Sequence, residues 1–178
     1  MGRMGKVIRL FSNGVLGLAL AMLLTGCGQG SGDYFDGCRY GRPEPIFHDS
    51  LPEVAVHGFE IRDREGIEDV SFRSGLDLRV IQSGCDAIRQ ELDFASPDWE
   101  TADPQRDWVG EAVARLDYLG NLGPRFLVFK EWARSLQAQR NEVALYEPVE
   151  IQPGFFVRID PVSASGKTTL RVILSEKP

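Results

Sequence analysis

The sequence predicts an α+β fold: a mainly antiparallel sheet of about six to seven strands, with two helices inserted in sequence and packed on one face. Three observations predict it. Residues 53–94 carry apolar residues with a period of two, broken by turn signals; residues 104–139 switch to a helical period; and the chain returns to period two after residue 142. A run of strands, then helices, then strands gathers into one sheet with helices on a single face.

The first half reads as a meander. Glu53–Arg62 is rich in Val, Phe and Ile, Asp63-Arg64-Glu65-Gly66 is a turn, and Ile67–Arg73 returns. Ser74-Gly75 breaks the chain again, after which Leu76, Leu78 and Val80 alternate with Asp77 and Arg79. Beyond Ser83-Gly84-Cys85-Asp86, Ile88, Gln90, Leu92 and Phe94 share one face, and Arg89, Glu91 and Asp93 share the other. Such alternation belongs to an antiparallel sheet with one solvated face.

In the centre, Asp103 is read as an N-cap with Pro104 in the first helical position. Trp108, Ala112, Leu116 and Leu119 form one stripe, with Val109 and Val113 beside it. Gly120-Asn121-Leu122-Gly123-Pro124 stops that helix. Arg125–Gln139 reads as a second, with Phe126, Phe129, Ala133 and Leu136 inward, although residues 126–129 also fit a strand. In the tail, Glu142–Tyr146, Gly154–Asp160 and Thr168–Ser175 are expected as strands, with residues 163–167 as a hairpin loop. Phe155, Val157, Ile159, Leu170, Val172 and Leu174 are the expected core positions. Arg42-Pro43-Glu44-Pro45 is an extended lead-in. There is no internal repeat.

The amino terminus has a different logic. Arg3, Lys6 and Arg9 precede an apolar run, Val15–Leu24, and small residues then lead to Cys27. That run is too short for a permanent membrane helix, which needs about 20 apolar residues. Leu24-Thr25-Gly26-Cys27 resembles the lipobox of bacterial lipoproteins. The resemblance covers the signal alone. It implies lipid on the Cys27 sulfur, cleavage before Cys27 and acylation of the new amino terminus. It divides the chain into a signal (1–26), a lipidated cysteine with a flexible tether (27–37) and a single globular α+β domain (38–178). Buried acyl methylenes contribute about 0.8 kcal/mol each, so such a protein is anchored to a membrane without spanning it. In a Gram-negative host, Gly28 in place of Asp implies the outer membrane, facing the periplasm.

Loss of Arg3, Lys6 and Arg9 with the signal moves the formal charge from −6 to −9. An acidic body repels nucleic acid, which excludes that partner class. With Cys27 taken by lipid, Cys38 and Cys85 remain, and an oxidising compartment pairs them. Their loop of 47 residues corresponds to about 4 kcal/mol in the chain-entropy description.

The other motifs fail on spacing. Ser165-Gly166-Lys167-Thr168-Thr169 evokes a phosphate loop, but the required upstream glycine is Pro161, so no nucleotide is expected. Asp93, Asp98, Glu100, Asp103 and Asp107 lack calcium-loop spacing, and no metal or other cofactor is expected. His48 and His57 are the two histidines, with no Gly-x-Ser-x-Gly elbow and no zinc-binding His-Glu-x-x-His. Trp108 and Trp132 belong to helix cores. Trp99 and Phe156 are the candidates for exposed, partner-binding aromatics. The expected function is non-catalytic: an envelope lipoprotein that binds a protein or cell-wall partner, such as an inhibitor or immunity protein for a periplasmic hydrolase. The alternatives are a structural subunit of an envelope assembly and a periplasmic hydrolase using His48 or His57.

Overall fold

A computed structural model describes residues 35–99 and 105–178. The strands are β1 (Val54–Arg62), β2 (Glu65–Phe72), β3 (Asp77–Ser83), β4 (Arg89–Ala95), β5 (Val149–Gln152), β6 (Phe155–Ala164) and β7 (Lys167–Ser175). They form one antiparallel sheet in the order β1-β2-β3-β4-β7-β6-β5. Helices α1 (Trp108–Gly120) and α2 (Leu127–Ala138) lie between β4 and β5 in sequence. They pack on each other and against β5, β6 and β7. The expected α+β class is what the chain adopts. Among the described residues, no helix is long and apolar enough to cross a membrane.

Both helices bury the stripes read from their periodicity. Trp108, Ala112, Leu116 and Leu119 are buried on α1, and Phe129, Ala133 and Leu136 on α2. Phe126 is buried in a 3-10 turn, Pro124–Phe126, that leads into α2, which settles residues 126–129 as helical. A Cβ on Gly120 would stand 2.6 Å from the Lys130 backbone nitrogen, so glycine permits the two helices to approach this closely. The N-cap of α1 is Asp107, whose carboxylate accepts a hydrogen bond from the Gly110 N–H at 2.9 Å. The helix therefore starts later than a cap at Asp103 would allow; Asp103 and Pro104 lie outside the described residues.

Two other expectations are corrected. Residues 142–146 form turns, not a strand. Tyr146 sits at φ 68°, a left-handed conformation that interrupts an extended run. Val143 and Leu145 still pack against the core, so their alternation reports loop contacts, and the strand is Val149–Gln152 instead. The β1–β2 turn is two residues, Asp63 and Arg64, both at positive φ (51° and 70°). Glu65 and Gly66 already pair in β2. Gly66 answers a different need: a Cβ there would lie 2.6 Å from the Pro43 Cβ, where the lead-in crosses the sheet.

That crossing completes the core. The helices cover the β5–β7 half of the inner face, and residues 44–49 strap the β1–β3 half. The Glu44 carbonyl accepts from the Gln82 amide of β3 at 2.8 Å. The Ile46 and Phe47 N–H groups donate to the two Glu68 carboxylate oxygens of β2 at 2.9 and 2.8 Å. Asp49 reaches His57 of β1 at 3.5 Å. Phe47 is 0% exposed; it stacks on Phe126 at 5.4 Å and meets Phe72 edge-on at 5.7 Å.

The outer face is polar and self-paired. Asp69, Arg79, Asp93, Arg171 and Asp160 stand directly opposite one another across β2, β3, β4, β7 and β6, a row of alternating charge. Arg79 grips Asp69 at 2.7 Å and Arg171 grips Asp93 at 2.8 and 2.9 Å. Opposite charges facing across strands stabilise a sheet. Ile173 is buried on this face, flanked in register by Glu91 of β4 and Arg158 of β6; long charged side chains can cover an apolar neighbour with their aliphatic stems.

Glu68→Ala is expected to cost about 3 kcal/mol, since two strap amides then lose a charged acceptor in a buried site. Phe47→Ala is expected to cost about 3–5 kcal/mol. Urea midpoints measure both. Limited proteolysis should cut the strap region sooner in Glu68→Ala than in a β7 core variant of equal stability.

Candidate functional site

The strap, the β3–β4 loop and the carboxyl-terminal tail meet at one end of the sheet. Cys38 and Cys85 are joined there by a disulfide, as expected, with Cα atoms 4.6 Å apart. The Tyr40 N–H reaches the Cys85 carbonyl at 3.4 Å. The Tyr40 hydroxyl donates to Glu176 Oε1 at 2.5 Å, and Glu176 Oε2 accepts from the Ile88 N–H at 3.2 Å. The Glu176 N–H returns a bond to the Ile88 carbonyl. Lead-in, loop and tail are thus tied within a few residues of one another.

Between these ties lies a groove of about 540 Å³. Tyr40, Arg42 and Glu44 line one wall, and Gln82, Ile88 and Gln90 line the other. Gln82 and Gln90 are register partners. They put carboxamides on the inner face where Leu78, Val80, Leu92 and Phe94 continue the core. Arg42 is exposed and has no ion-pair or hydrogen-bond partner among the described residues. The groove therefore offers a free guanidinium, amide donors and acceptors, and one carboxylate. That set carries hydrogen-bonding and ionic groups and no acid–base–nucleophile arrangement among the described residues.

The other singled-out residues scatter. His57 is half-buried on the inner face of β1, with Nε2 2.8 Å from Glu68 Oε1 and Nδ1 3.5 Å from Asp49. Its described partners are both carboxylates, and Glu68 is at the same time holding the strap, so the cluster reads as an anchor. His48 is exposed, and its carbonyl accepts from the Leu51 N–H. No group of three or more His, Cys, Asp or Glu is placed to hold a metal ion among the described residues.

Trp99 is not an exposed aromatic. It is 1% exposed, because the 3-10 turn Pro97–Trp99 folds its indole inward, edge-on to Trp108 at 5.6 Å and beneath the Arg115 guanidinium at 5.0 Å. Phe156 does lie on the outer face, half-buried, opposite Ser175 and Glu150 in register. It shares a row with Ser175, Arg89 and Ser83, with β7 and β4 standing between it and β3. In the acidic stretch, Asp93 is spent on Arg171 and Asp107 on its cap, while Glu100 and Asp103 lie outside the described residues. Trp132 is half-buried between Phe129 and Phe155, in contact with both rings.

Sequence reading passed over Tyr40, Arg42, Gln82 and Glu176. Gln90 carried a legible signal, an amide at an inward position of an apolar alternation. Tyr40 and Glu176 are 136 residues apart and carried none.

The tie between them sets a pH dependence. The Tyr40 hydrogen bond holds the Glu176 carboxyl below its usual range, and the same bond to Glu176 raises the Tyr40 phenol. A depressed carboxylate contributes stability above its unfolded pKa, lost as pH falls through the folded value; a raised phenol contributes below its unfolded pKa, lost as pH rises through the folded value. Tyr40→Phe should therefore lower Tm by a constant amount across neutral pH. The difference from the parent should shrink in acid and again in strong alkali, which thermal unfolding over a pH series measures.

Comparisons with known protein families, with curated proteins and with solved structures found no match for this chain.

Proposed function

We propose that this chain is a lipid-anchored, non-catalytic envelope protein that binds a protein partner through the groove beside its disulfide. The single observation that carries the reading is the order of features along the first residues. A basic start and a short apolar run end in Leu24-Thr25-Gly26-Cys27, and a Gly- and Ser-rich tether then leads straight to a disulfide-tied domain. A disulfide between the two remaining cysteines supports an exported, oxidising address.

Geometry adds a constraint. Seven residues, 28–34, separate Cys27 from Phe35, and Phe35 lines a cavity with Cys38 and Cys85. Seven extended residues reach at most about 25 Å. On this reading a short tether keeps the domain within reach of the membrane, where a membrane-associated or wall-associated partner is available. The −9 charge of the mature chain favours encounter with a basic protein, which fits an inhibitor of a wall-degrading hydrolase. The membrane association needs only the acyl chains; no partner nucleotide or nucleic acid enters.

Radiolabelled palmitate should be incorporated by the parent and not by Cys27→Ser, and the variant should move from the membrane to the soluble fraction. Labelling of Cys27→Ser equal to the parent ends the anchor reading. Crosslinking in intact membranes should then capture a protein whose yield falls at least fivefold in a combined Arg42→Glu, Gln90→Ala variant. Capture of peptidoglycan fragments instead, or a yield indifferent to these changes, overturns the protein-binding reading.

A further inference from the structure

The turn between β1 and β2 aims a cation at the disulfide. Arg64 Nη2 lies 3.4 Å from Cys38 Sγ and 3.8 Å from Cys85 Sγ. The contact is held by a backbone that arginine does not favour: Arg64 sits at φ 70° beside Asp63 at φ 51°. Two-residue hairpin turns of this hand are best served by Asn-Gly, because a Cβ at positive φ is strained. The two-residue hairpins Pro153-Gly154 and Ser165-Gly166 both use glycine at the matching position, at φ 74° and 78°. Glycine at 64 would satisfy the turn; arginine there satisfies the sulfurs.

Both sulfurs border a cavity of about 250 Å³ that Arg64 also lines, together with Pro43, Ser83 and Gly84. Asp63 and Glu65 line it too, yet among the described residues neither is in ion-pair contact with Arg64. Among the described residues, no carboxylate pairs with the guanidinium that faces the S–S bond. Adjacent cations lower thiol pKa and stabilise the thiolate, the species released when a disulfide is attacked.

We propose that Cys38–Cys85 is a thiol–disulfide exchange site, reducible by an external dithiol, and that Arg64 is the residue that stabilises its leaving thiolate. An incoming thiolate forms a mixed disulfide with one of the two sulfurs and expels the other as a thiolate beside Arg64. The second thiol of the reductant, losing its proton, then displaces the first sulfur. Two electrons and two protons pass from the dithiol to the pair, giving two cysteine thiols and an oxidised reductant. The reduced domain keeps its strap, because Tyr40–Glu176, Gln82–Glu44 and Glu68 with the Ile46 and Phe47 amides hold it independently. What reduction frees is the short stretch before the Tyr40 tie, from Cys38, at the edge of the groove. This site stands without the lipid anchor or the protein partner, so its test does not depend on them.

The experiment uses the full chain in dithiothreitol redox buffers, with the reduced fraction read by alkylation and mass shift. Arg64→Gln keeps the strained turn and removes the charge; Arg64→Gly relieves the turn and removes the charge. Both are expected to lower the equilibrium constant for reduction about tenfold, equivalent to about 30 mV, although their effects on Tm are opposite in sign. Arg64→Lys should recover most of it. The parent's advantage should shrink in high salt, since Arg64 is exposed. In the reduced parent, iodoacetamide should react at a lower pH than in either charge-removed variant. Equal potentials and equal alkylation profiles in the parent, Arg64→Gln and Arg64→Gly would overturn the proposal, as would loss of the folded state on reduction of the parent.

Discussion

The carboxylate of Glu68 occupies an inward position of β2, 0% exposed, and the first third of the fold is arranged around it. A buried carboxylate is tolerated only when its oxygens are met by donors. Here the donors come from outside the sheet: two consecutive backbone amides of the lead-in and the ring of His57. The sheet cannot satisfy Glu68 alone, and the lead-in has no strand partner of its own for those amides. Each solves the other's desolvation problem. Because consecutive N–H groups must point at one carboxylate, the chain is turned so that Phe47 drops between Phe72 and Phe126. A polar anchor thus fixes the register of an apolar plug, and the plug joins the strap to the turn before α2.

The two faces of the sheet follow different physics. Inside, helices cover one half and the strap the other, and close packing of Leu, Val and Phe excludes water. Outside, no element among the described residues covers the strands, and the ordering comes from the charge row Asp69, Arg79, Asp93, Arg171, Asp160. Each member is opposite a partner of the other sign, so a one-residue slip of any strand would break the row as well as turn the core outward. Exposed ion pairs contribute little individually. Their value here lies in specifying register consistently with the inner face.

What was legible in the sequence was whatever rests on local periodicity. The stripes of α1 and α2, the alternation of β3 and β4, and the inward residues of β6 and β7 repeat along the chain and can be counted. The disulfide was legible from cysteine number and from the oxidising compartment that the lipobox resemblance implies. Illegible were the features decided by contacts across the fold. Trp99 sits in an acidic, loop-like stretch, and only a 3-10 turn and the placement of Trp108 make it core. Val143 and Leu145 alternate as a strand would, but Tyr146 takes positive φ and turns the chain. Gly66 resembles a turn glycine, yet its role is to admit Pro43 against β2. Glu68 has the composition of a solvated position, and its burial depends on amides more than 20 residues upstream. The groove shared this limit: Gln90 broke an apolar pattern visibly, whereas Tyr40 and Glu176 meet only in three dimensions.

These long-range ties share a layout. Glu68, Gln82, Cys85 and Glu176 each hold a different point of the same lead-in, at residues 46–47, 44, 38 and 40. A segment without regular secondary structure is thereby fixed at four places by four chemically different bonds: a carboxylate, an amide, a disulfide and a phenol. Three of them do not involve the disulfide and one is the disulfide itself; the Tyr40–Glu176 bond also responds to pH. A segment fastened this way is rigid as a whole yet can be loosened locally. The point that can be loosened, at Cys38, is the first of the four along the chain, while the ties at Tyr40 and Glu44 line the groove itself. If the proposed anchor holds the tether at a membrane, any pull on it arrives first at Cys38, and the disulfide transfers that load to the β3–β4 loop before it reaches Glu68. The covalent tie thus stands between the tether and the buried carboxylate on which the strap depends.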